Sequence, residues 1–320
     1  MINRRRLGVF LKIVISVALV WVLLSAFGGE DALKRLIDVH PGWLLVAIGL
    51  GVVQVIIGGL RWRAVMVAID TPMASALVFR FTYIGAFFNQ TLPSAAGGDA
   101  VRTYLAYKSG LKLGPAVNGM VLDRVATVLA LVVLVAMMMP FAADGLVGGD
   151  WFARSVWVVL AVALGGTAVI MFLDRLPATL QRFRIVAGAG LLANDARRVF
   201  LRPFHSTTVM AWALLGHVNL SVLAFVLARG LSVDVTVMDC LLLFPPVLLA
   251  QTLPISVAGW GVREGAMVSL FALVGVSGES ALAISILYGI VLALISLPGA
   301  AFWLASGTRT LQEAEAFSQR

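Results

Sequence analysis

The sequence predicts an all-α polytopic membrane protein, with about six full spans and two re-entrant helical hairpins arranged as an inverted repeat. Three observations lead to this fold class. Of the 320 residues, 61% are apolar and only 12% are charged, which is about half the charged fraction of a soluble domain. Six apolar runs are each long enough to cross about 30 Å of hydrocarbon as a helix. A segment of thirteen residues also occurs twice in the chain.

The predicted spans are distributed along the whole chain, so we treat residues 1–320 as one integral membrane domain. The spans are residues 8–27, 43–60, 115–141, 152–173, 206–228 and 280–305. The first span follows three arginines and is longer than the apolar region of a signal peptide, which predicts an uncleaved span with a cytoplasmic N-terminus. The first half of the inverted repeat is then 8–141, and the second half is 152–305.

Two further apolar segments, 74–92 and 238–253, contain an arginine or a pair of prolines. Each is followed by a Gly-rich break and a shorter helix, at 98–109 or 263–276. Because a helix of about 15 residues reaches only about 22 Å, we interpret each region as a re-entrant hairpin of two half-helices. Broken backbone at that depth is tolerated where it is buried in protein or lines a wet cavity. The alternative is a full crossing by 74–92.

The distribution of basic residues favours the hairpins. With the N-terminus inside, the outer loops hold Lys34, Arg35, Arg154 and Arg229, and Arg263 lies within the second hairpin, which leaves nineteen of the 24 basic residues on the inner side. The positive-inside rule expects this asymmetry. It places both termini in the cytoplasm. It also opens the two hairpins to opposite sides, so that the halves repeat in inverted orientation.

The duplicated segment is 90–102, which returns as 251–263. Seven of its thirteen positions are identical without a gap, at an offset of 161 residues. A Pro/Gly-interrupted segment in corresponding places of two halves is the best sequence pointer to the substrate site of a transporter. The predicted hinge residues are the prolines and glycines of the two breaks: Pro93, Gly97, Gly98, Pro254, Gly259 and Gly261.

Three stretches carry a resemblance to a known family: FFNQTLPSAAGGDAVRTYLAYKSG at 87–110, Leu-Asp-Arg at 122–124, and QTLPISVAGWGVREG at 251–265. They resemble the transmembrane, flippase-like part of lysylphosphatidylglycerol synthase and its stand-alone relatives of the bacterial inner membrane. In full-length synthases a soluble aminoacyl-transfer domain follows this region, whereas this chain ends at Arg320, about fifteen residues past the last predicted span. The resemblance therefore implies lipid translocation in the inner membrane and not the aminoacylation enzyme.

Arg102 and Arg263 are the first candidates for substrate binding. An arginine inside the membrane is costly and usually faces a cavity or a partner, and guanidinium groups match phosphate oxygens in a bidentate way. Each arginine follows a break at which a half-helix begins, and the positive helix N-terminus favours the same anion. We expect the two arginines to hold one lipid phosphate near the midplane. The alternative is that each one pairs with an acid or extends to the interface.

Arg124 and three amides are expected to complete the substrate site. The amides of Asn89, Gln90 and Gln251 lie at the predicted hairpin tips, where they either bind headgroup hydroxyls or only satisfy backbone groups next to the prolines.

Three acidic residues, Asp99, Asp123 and Glu264, are expected to neutralise the arginines between substrates, to meet a cationic headgroup, or to carry a coupling proton. The alternative is that they form structural ion pairs. Asp123 and Arg124 are adjacent, so they point to different faces of a helix and need separate partners.

The expected partner is a membrane phospholipid or a lipid-linked substrate, with a homodimer and a separate lipid-modifying enzyme as further candidates. Nucleic acid is excluded because the basic residues cluster in loops between apolar runs. No metal or other cofactor is predicted, since Cys240 is the single cysteine and the motifs of metal, phosphate-loop and nucleophile sites are missing.

The basic cytoplasmic loop, 174–205, is either an amphipathic helix on the leaflet or an ordinary loop. Two other classes of function are kept open. One is a membrane-embedded transferase acting on a lipid-linked phosphate. The other is a non-transporting subunit in envelope assembly.

Overall fold

The computed structural model describes residues 14, 17–18, 20–26, 35–92, 97–141, 149–175, 184–252 and 257–306. Within these residues the chain forms helices joined by turns. The ten helices with complete bounds are α1 (Pro41–Ala68), α2 (Ser75–Thr91), α3 (Gly97–Lys108), α4 (Leu113–Met138), α5 (Gly149–Met171), α6 (Arg184–Leu201), α7 (Pro203–Gly230), α8 (Val237–Gln251), α9 (Val262–Phe271) and α10 (Gly278–Ala305).

Five helices are long and apolar enough to cross a membrane, which confirms a polytopic helical membrane protein. They are Pro41–Ala68, Leu113–Phe141, Trp151–Met171, Pro203–Gly230 and Gly278–Ala305. They correspond to five of the six predicted spans. Half of the other predicted span, 8–27, lies outside the described residues; within the described half, residues 20–26 are helical.

α2 and α3 form a helical hairpin whose two arms touch through backbone. A Cβ on Gly98 would overlap the carbonyl oxygen of Gly85, so the arms can approach this closely only with glycine there. The Gly98 N–H donates to Asn89 Oδ1 at 2.9 Å. α8 and α9 also pack against each other in the second half. At about 1.5 Å per residue all four arms are shorter than the hydrocarbon thickness, so their re-entrant placement stays a prediction.

The same helix pairings are found when each helix is replaced by its counterpart in the other half. α1 packs along α7, its counterpart, in the most extensive helix contact of the described residues. The first hairpin packs against α10 through α2, and the second packs against α4 through α8. At one of these contacts the backbone of Gly299 lies against the Tyr83 carbonyl, where no side chain would fit. These pairings are those that a two-fold relation between the halves requires.

Contacts at the two ends of α1 group the loops into two sides. At its beginning, the His40 N–H donates to the Gly230 carbonyl at 3.1 Å. Just past its end, Asp70 pairs with Arg198 at 2.8 Å. The side that holds Arg198 therefore lies opposite the loop that follows α7, as the charge distribution predicts.

The segment expected as a basic loop contains a helix, α6, whose apolar face is covered by protein. Ala193, Ala196 and Val199 are fully buried. The helix is fixed further by a hydrogen bond of 2.7 Å from Asn118 to Asp195. The amphipathic helix predicted as one alternative is thus present, but Ala193, Ala196 and Val199 face the bundle, while Leu191 and Leu201 are exposed.

Candidate functional site

A cavity of about 270 Å³ lies where the first hairpin, α1, α4 and α10 meet the tip of the second hairpin. Its wall is polar for a site between apolar helices. The charged and polar residues that line it are Gln54, Arg61, Thr82, Asn89, Gln90, Asp99, Arg102, Asp123, Arg124, Gln251, Thr252 and Ser296. Most of the predicted site residues of the first half are therefore brought together.

Asp123 is the centre of the charged wall. Arg61 donates to both of its oxygens, from Nε at 2.7 Å and from Nη2 at 3.2 Å. Arg102 Nη2 donates to the same carboxylate at 2.9 Å. The side chain of Asp123 is only 2% exposed, so it needs this compensation, because an unpaired buried charge is strongly destabilising.

Asp99 contacts two of the three arginines of the cavity, Arg124 and Arg102. Its carboxylate accepts a hydrogen bond from Arg124 Nε and lies 3.2 Å from Arg102 Nη2. Asp123 and Arg124, although adjacent, thus have the separate partners that the sequence predicts. The wall holds three guanidinium groups and two carboxylates, which leaves one net positive charge.

Arg102 retains unused binding capacity. Its side chain is 7% exposed, and its guanidinium carbon lies 4.5 Å from the ring centre of Trp62. Its buried Nε has no hydrogen-bond partner among the described residues. A buried donor without a partner costs about 1–3 kcal/mol, and this one belongs to a side chain that lines a polar cavity. The side chain is therefore a candidate for binding an anion.

The three predicted amides all line the cavity. The side-chain carbonyl oxygen of Asn89 accepts the Gly98 N–H at the start of α3. Asn89 therefore satisfies a backbone group, which was one of the two alternatives. Gln90 and Gln251 lie at the ends of α2 and α8. The buried Oε1 of Gln251 has no partner among the described residues. This amide is therefore a candidate for contact with a bound molecule.

Arg263 does not line this cavity. It lies 2% exposed in a cluster of its own, where it donates to Glu264 Oε1 from Nη2 at 2.5 Å and from Nε at 3.1 Å. Ser285 accepts from the same Nε at 3.0 Å. The guanidinium also lies 4.7 Å from the ring centre of Trp260 and 5.5 Å from that of Tyr288. The two duplicated arginines are thus not brought to one shared cavity.

Glu264 is equally occupied. Besides Arg263, its Oε2 accepts the Gly261 N–H at 2.5 Å, which caps the start of α9. The residue is fully buried. Both oxygens therefore have partners, and the ion-pair alternative describes this residue.

The predicted hinge residues divide into three groups. Pro93 and Pro254 lie outside the described residues. Gly259 and Gly261 have φ of 81° and 87°, a left-handed conformation in which side chains are strained, so both glycines are needed for the turn before α9. Gly97 and Gly98 begin α3.

Arg61 is the charged residue of the cavity that sequence reasoning missed. The predicted span ended at residue 60, whereas α1 continues to Ala68 and carries Arg61 to the cavity. The duplication could not reveal it because its counterpart at the same offset, Val222, is apolar. The signal was available in helical spacing, since Gln54, Gly58 and Arg61 share one face of a helix at i, i+4 and i+7.

Comparisons with known proteins agree with the resemblance in the sequence. Residues 9–299 match the family model of the lysylphosphatidylglycerol synthase TM region. A UPF0104 membrane protein of Methanothermobacter thermautotrophicus is 24% identical over 309 residues, covering 85% of this chain and 86% of the relative. A UPF0104 membrane protein of Pyrococcus horikoshii is 26% identical over 202 residues, covering 61% of this chain and 57% of the relative. Since the family match extends over most of the residues, the chain belongs to the lysylphosphatidylglycerol synthase TM region family.

Proposed function

We propose that this protein is a lipid transporter that moves an anionic, phosphate-containing lipid across the membrane, with the phosphate bound in the cavity of the first half. The observation that carries the proposal is Arg102, a buried arginine that lines a polar cavity and keeps a donor without a partner. Membership of a family of lipid-synthase membrane regions supports a lipid as the cargo.

The phosphate is assigned to Arg102 and Arg124, with Arg61 behind them. Arg124 is the most accessible of these groups, with 40% of its side chain exposed, while Arg61 and Arg102 are nearly buried. Asp99 and Asp123 hold the guanidinium groups in place when no anion is bound. This assignment differs from the clamp expected from the sequence, because Arg263 is engaged with Glu264 and acts as a structural residue.

The headgroup enters the cavity while the acyl chains remain in the bilayer. A volume of about 270 Å³ is just below the range of roughly 300–1,000 Å³ typical of pockets that enclose whole small molecules. The proposal includes the bacterial inner membrane as the location, with both termini in the cytoplasm. Movement is passive or ion-coupled, as the sequence contains no nucleotide-binding motif.

The second candidate is a transferase acting on a lipid-linked phosphate in the same cavity. The juxtaposition of Asp99 and Asp123 with three arginines favours phosphate chemistry of some kind. Within the described part of the chain, however, no three His, Cys, Asp or Glu residues are grouped to hold a metal ion. Both carboxylates also accept hydrogen bonds from arginines, so neither is free to contact a substrate as a general base.

Lipid transfer by the purified protein in vesicles tests the proposal. Arg102→Ala and Arg102→Lys should both lose most transfer per folded molecule, since a lysine cannot form the guanidinium fork. Both variants should still fold, because Asp123 keeps Arg61 and Asp99 keeps Arg124. Arg229→Gln is the matched control. This exposed arginine forms only a long ion pair of 4.0 Å with Asp234, and such surface pairs contribute little to stability.

Normal specific transfer by both Arg102 variants would contradict the proposal. Conversion of a labelled lipid, with no transfer, would instead favour the transferase.

A further inference from the structure

We propose that the cavity selects lipids whose headgroup is a singly charged phosphodiester joined to an uncharged, hydroxylated group, and that it excludes aminoacylated, cationic headgroups. This inference rests on the proposed function and concerns which lipid is carried. It is notable because the family takes its name from a synthase of an aminoacylated lipid.

The net charge of the wall matches one negative charge. Three arginines and two aspartates line the cavity, so a single phosphodiester anion brings the sum to zero. A phosphate monoester carries about −1.5 to −2 charges near pH 7 and would leave an excess of negative charge between apolar helices. An uncharged lipid would leave the positive charge uncompensated, and either mismatch is costly in a site of low dielectric.

The negative charges of the two carboxylates are already paired with arginines. Both oxygens of Asp123 accept from Arg61, and one also accepts from Arg102. Asp99 pairs through one oxygen with Arg124 and through the other with Arg102. No other acidic residue lines the cavity among the described residues. A lysyl or alanyl headgroup would therefore bring its positive charge towards three arginines without a free acid to receive it.

The remaining polar wall suits hydroxyl groups. Asn89, Gln90 and Gln251 present amides to the cavity, and amides both donate and accept, as a hydroxyl group requires. The buried Oε1 of Gln251 lacks a donor among the described residues. A glycerol or sugar hydroxyl can supply that hydrogen bond, and it carries no charge that would alter the balance.

The experiment compares four lipids, each labelled on an acyl chain, in vesicles containing the full-length protein. The probes are phosphatidylglycerol, phosphatidic acid, phosphatidylethanolamine and lysyl-phosphatidylglycerol, and an impermeant quencher reports how much of each one changes leaflet. We expect phosphatidylglycerol to move at least about tenfold faster than the other three, since a buried charge mismatch is worth more than one decade in affinity. Equal rates for phosphatidylglycerol and lysyl-phosphatidylglycerol would overturn the inference.

Two variants change the charge of the wall by one unit in opposite directions. Asp99→Asn raises the net charge to about +2 and should shift the preference towards phosphatidic acid. Arg124→Gln lowers it to about zero and should shift the preference towards phosphatidylethanolamine. The readout is the ratio of two lipid rates in one preparation, which a loss of folded protein does not alter. The accessible side chain of Arg124 makes its replacement the safer of the two for folding. Unchanged ratios in both variants would contradict selection by charge.

The outcomes separate this inference from the proposed function. If several lipids move at similar rates and Arg102→Ala stops them all, the protein is a transporter without the predicted selectivity. If no lipid moves although the protein is folded, both proposals fail. A further arm offers the deacylated headgroup glycerophosphoglycerol as a solute. Its uptake without movement of any lipid would show that the ligand is a soluble phosphodiester, which overturns both statements about lipids.

Discussion

Gln90 and Gln251, which are 161 residues apart in the sequence, line the same cavity. They occupy equivalent positions near the C-terminal ends of α2 and α8, so the tips of the two hairpins converge on one site. The duplicated arginines behave differently. Arg102 faces the cavity, whereas Arg263 is enclosed by Glu264, Ser285 and two aromatic rings. Both halves therefore contribute a glutamine to the cavity, but only the first half contributes its duplicated arginine.

We expect Gln90→Ala and Gln251→Ala each to lower lipid transfer by about two- to tenfold, the effect of one hydrogen bond of about 0.5–1.5 kcal/mol. The double variant should lose less than the product of the two effects, because the two residues contact the same bound headgroup. The measurement is the initial rate in vesicles, with Arg229→Gln as the control. Independent, multiplicative effects would show that the two amides do not act on one ligand.

The hairpin contact gives a prediction about stability. Gly98→Ala places a methyl group against the Gly85 carbonyl, and a shift of the backbone arms is the only way to accommodate it. We expect the free energy of unfolding to fall by about 1–3 kcal/mol, as it does for overpacked cores. The matched control is Gly49→Ala, because no atom lies within 4 Å of a Cβ at Gly49 in α1. Thermal unfolding in detergent should separate the two variants, and equal melting temperatures would contradict the close contact of α2 with α3.

The architecture could be predicted largely from hydropathy, charge and duplication. Five spans, both pairs of hairpin helices and the convergence of Gln90 with Gln251 follow from signals that are periodic or repeated. The residues at which the helices begin and end were less predictable. The predicted span 43–60, for example, belongs to a helix that continues to Ala68.

The site could be predicted only in part, for two physical reasons. Duplication reveals residues that both halves keep, so it could not indicate Arg61, whose partner in the other half is apolar. Duplication also suggests that identical residues in the two halves have the same role, whereas the neighbouring side chains decide what each residue does. Glu264, next to Arg263, has Thr103 as its counterpart beside Arg102. This one acid neutralises the second arginine from the adjacent position, whereas the first arginine pairs with Asp99 of its own helix and with Asp123 of α4.

The placement of the hairpins predicts which loops are accessible from each side. In a Cys240→Ala background, cysteines at His40 and Ser277 should react with an impermeant reagent added outside intact cells, and a cysteine at Lys112 should react only after permeabilisation. The structure already groups His40 with Gly230 at one end of α1. External labelling at Lys112 would mean that the first hairpin crosses the bilayer, and protection of Ser277 would mean the same for the second.

The contrast between the two arginines gives the last prediction. Removing Arg263 leaves Glu264 as a buried charge with only Ser285 and a backbone N–H to stabilise it. Breaking a buried pair in this way costs about 3–5 kcal/mol. We therefore expect Arg263→Ala to lower the melting temperature and the yield of folded protein, while the molecules that do fold retain near-normal lipid transfer.

Glu264→Ala should destabilise as well, and the double variant should lose less stability than the two single losses together, since no charge is then left unpaired. Arg102→Ala should show the opposite behaviour, with folded protein retained and transfer lost. The measurements are melting temperature and transfer per folded molecule for the four proteins. If Arg263→Ala folded normally and lost transfer as Arg102→Ala does, Arg263 would belong to the transport path, and the cavity of the first half would be only part of the binding site.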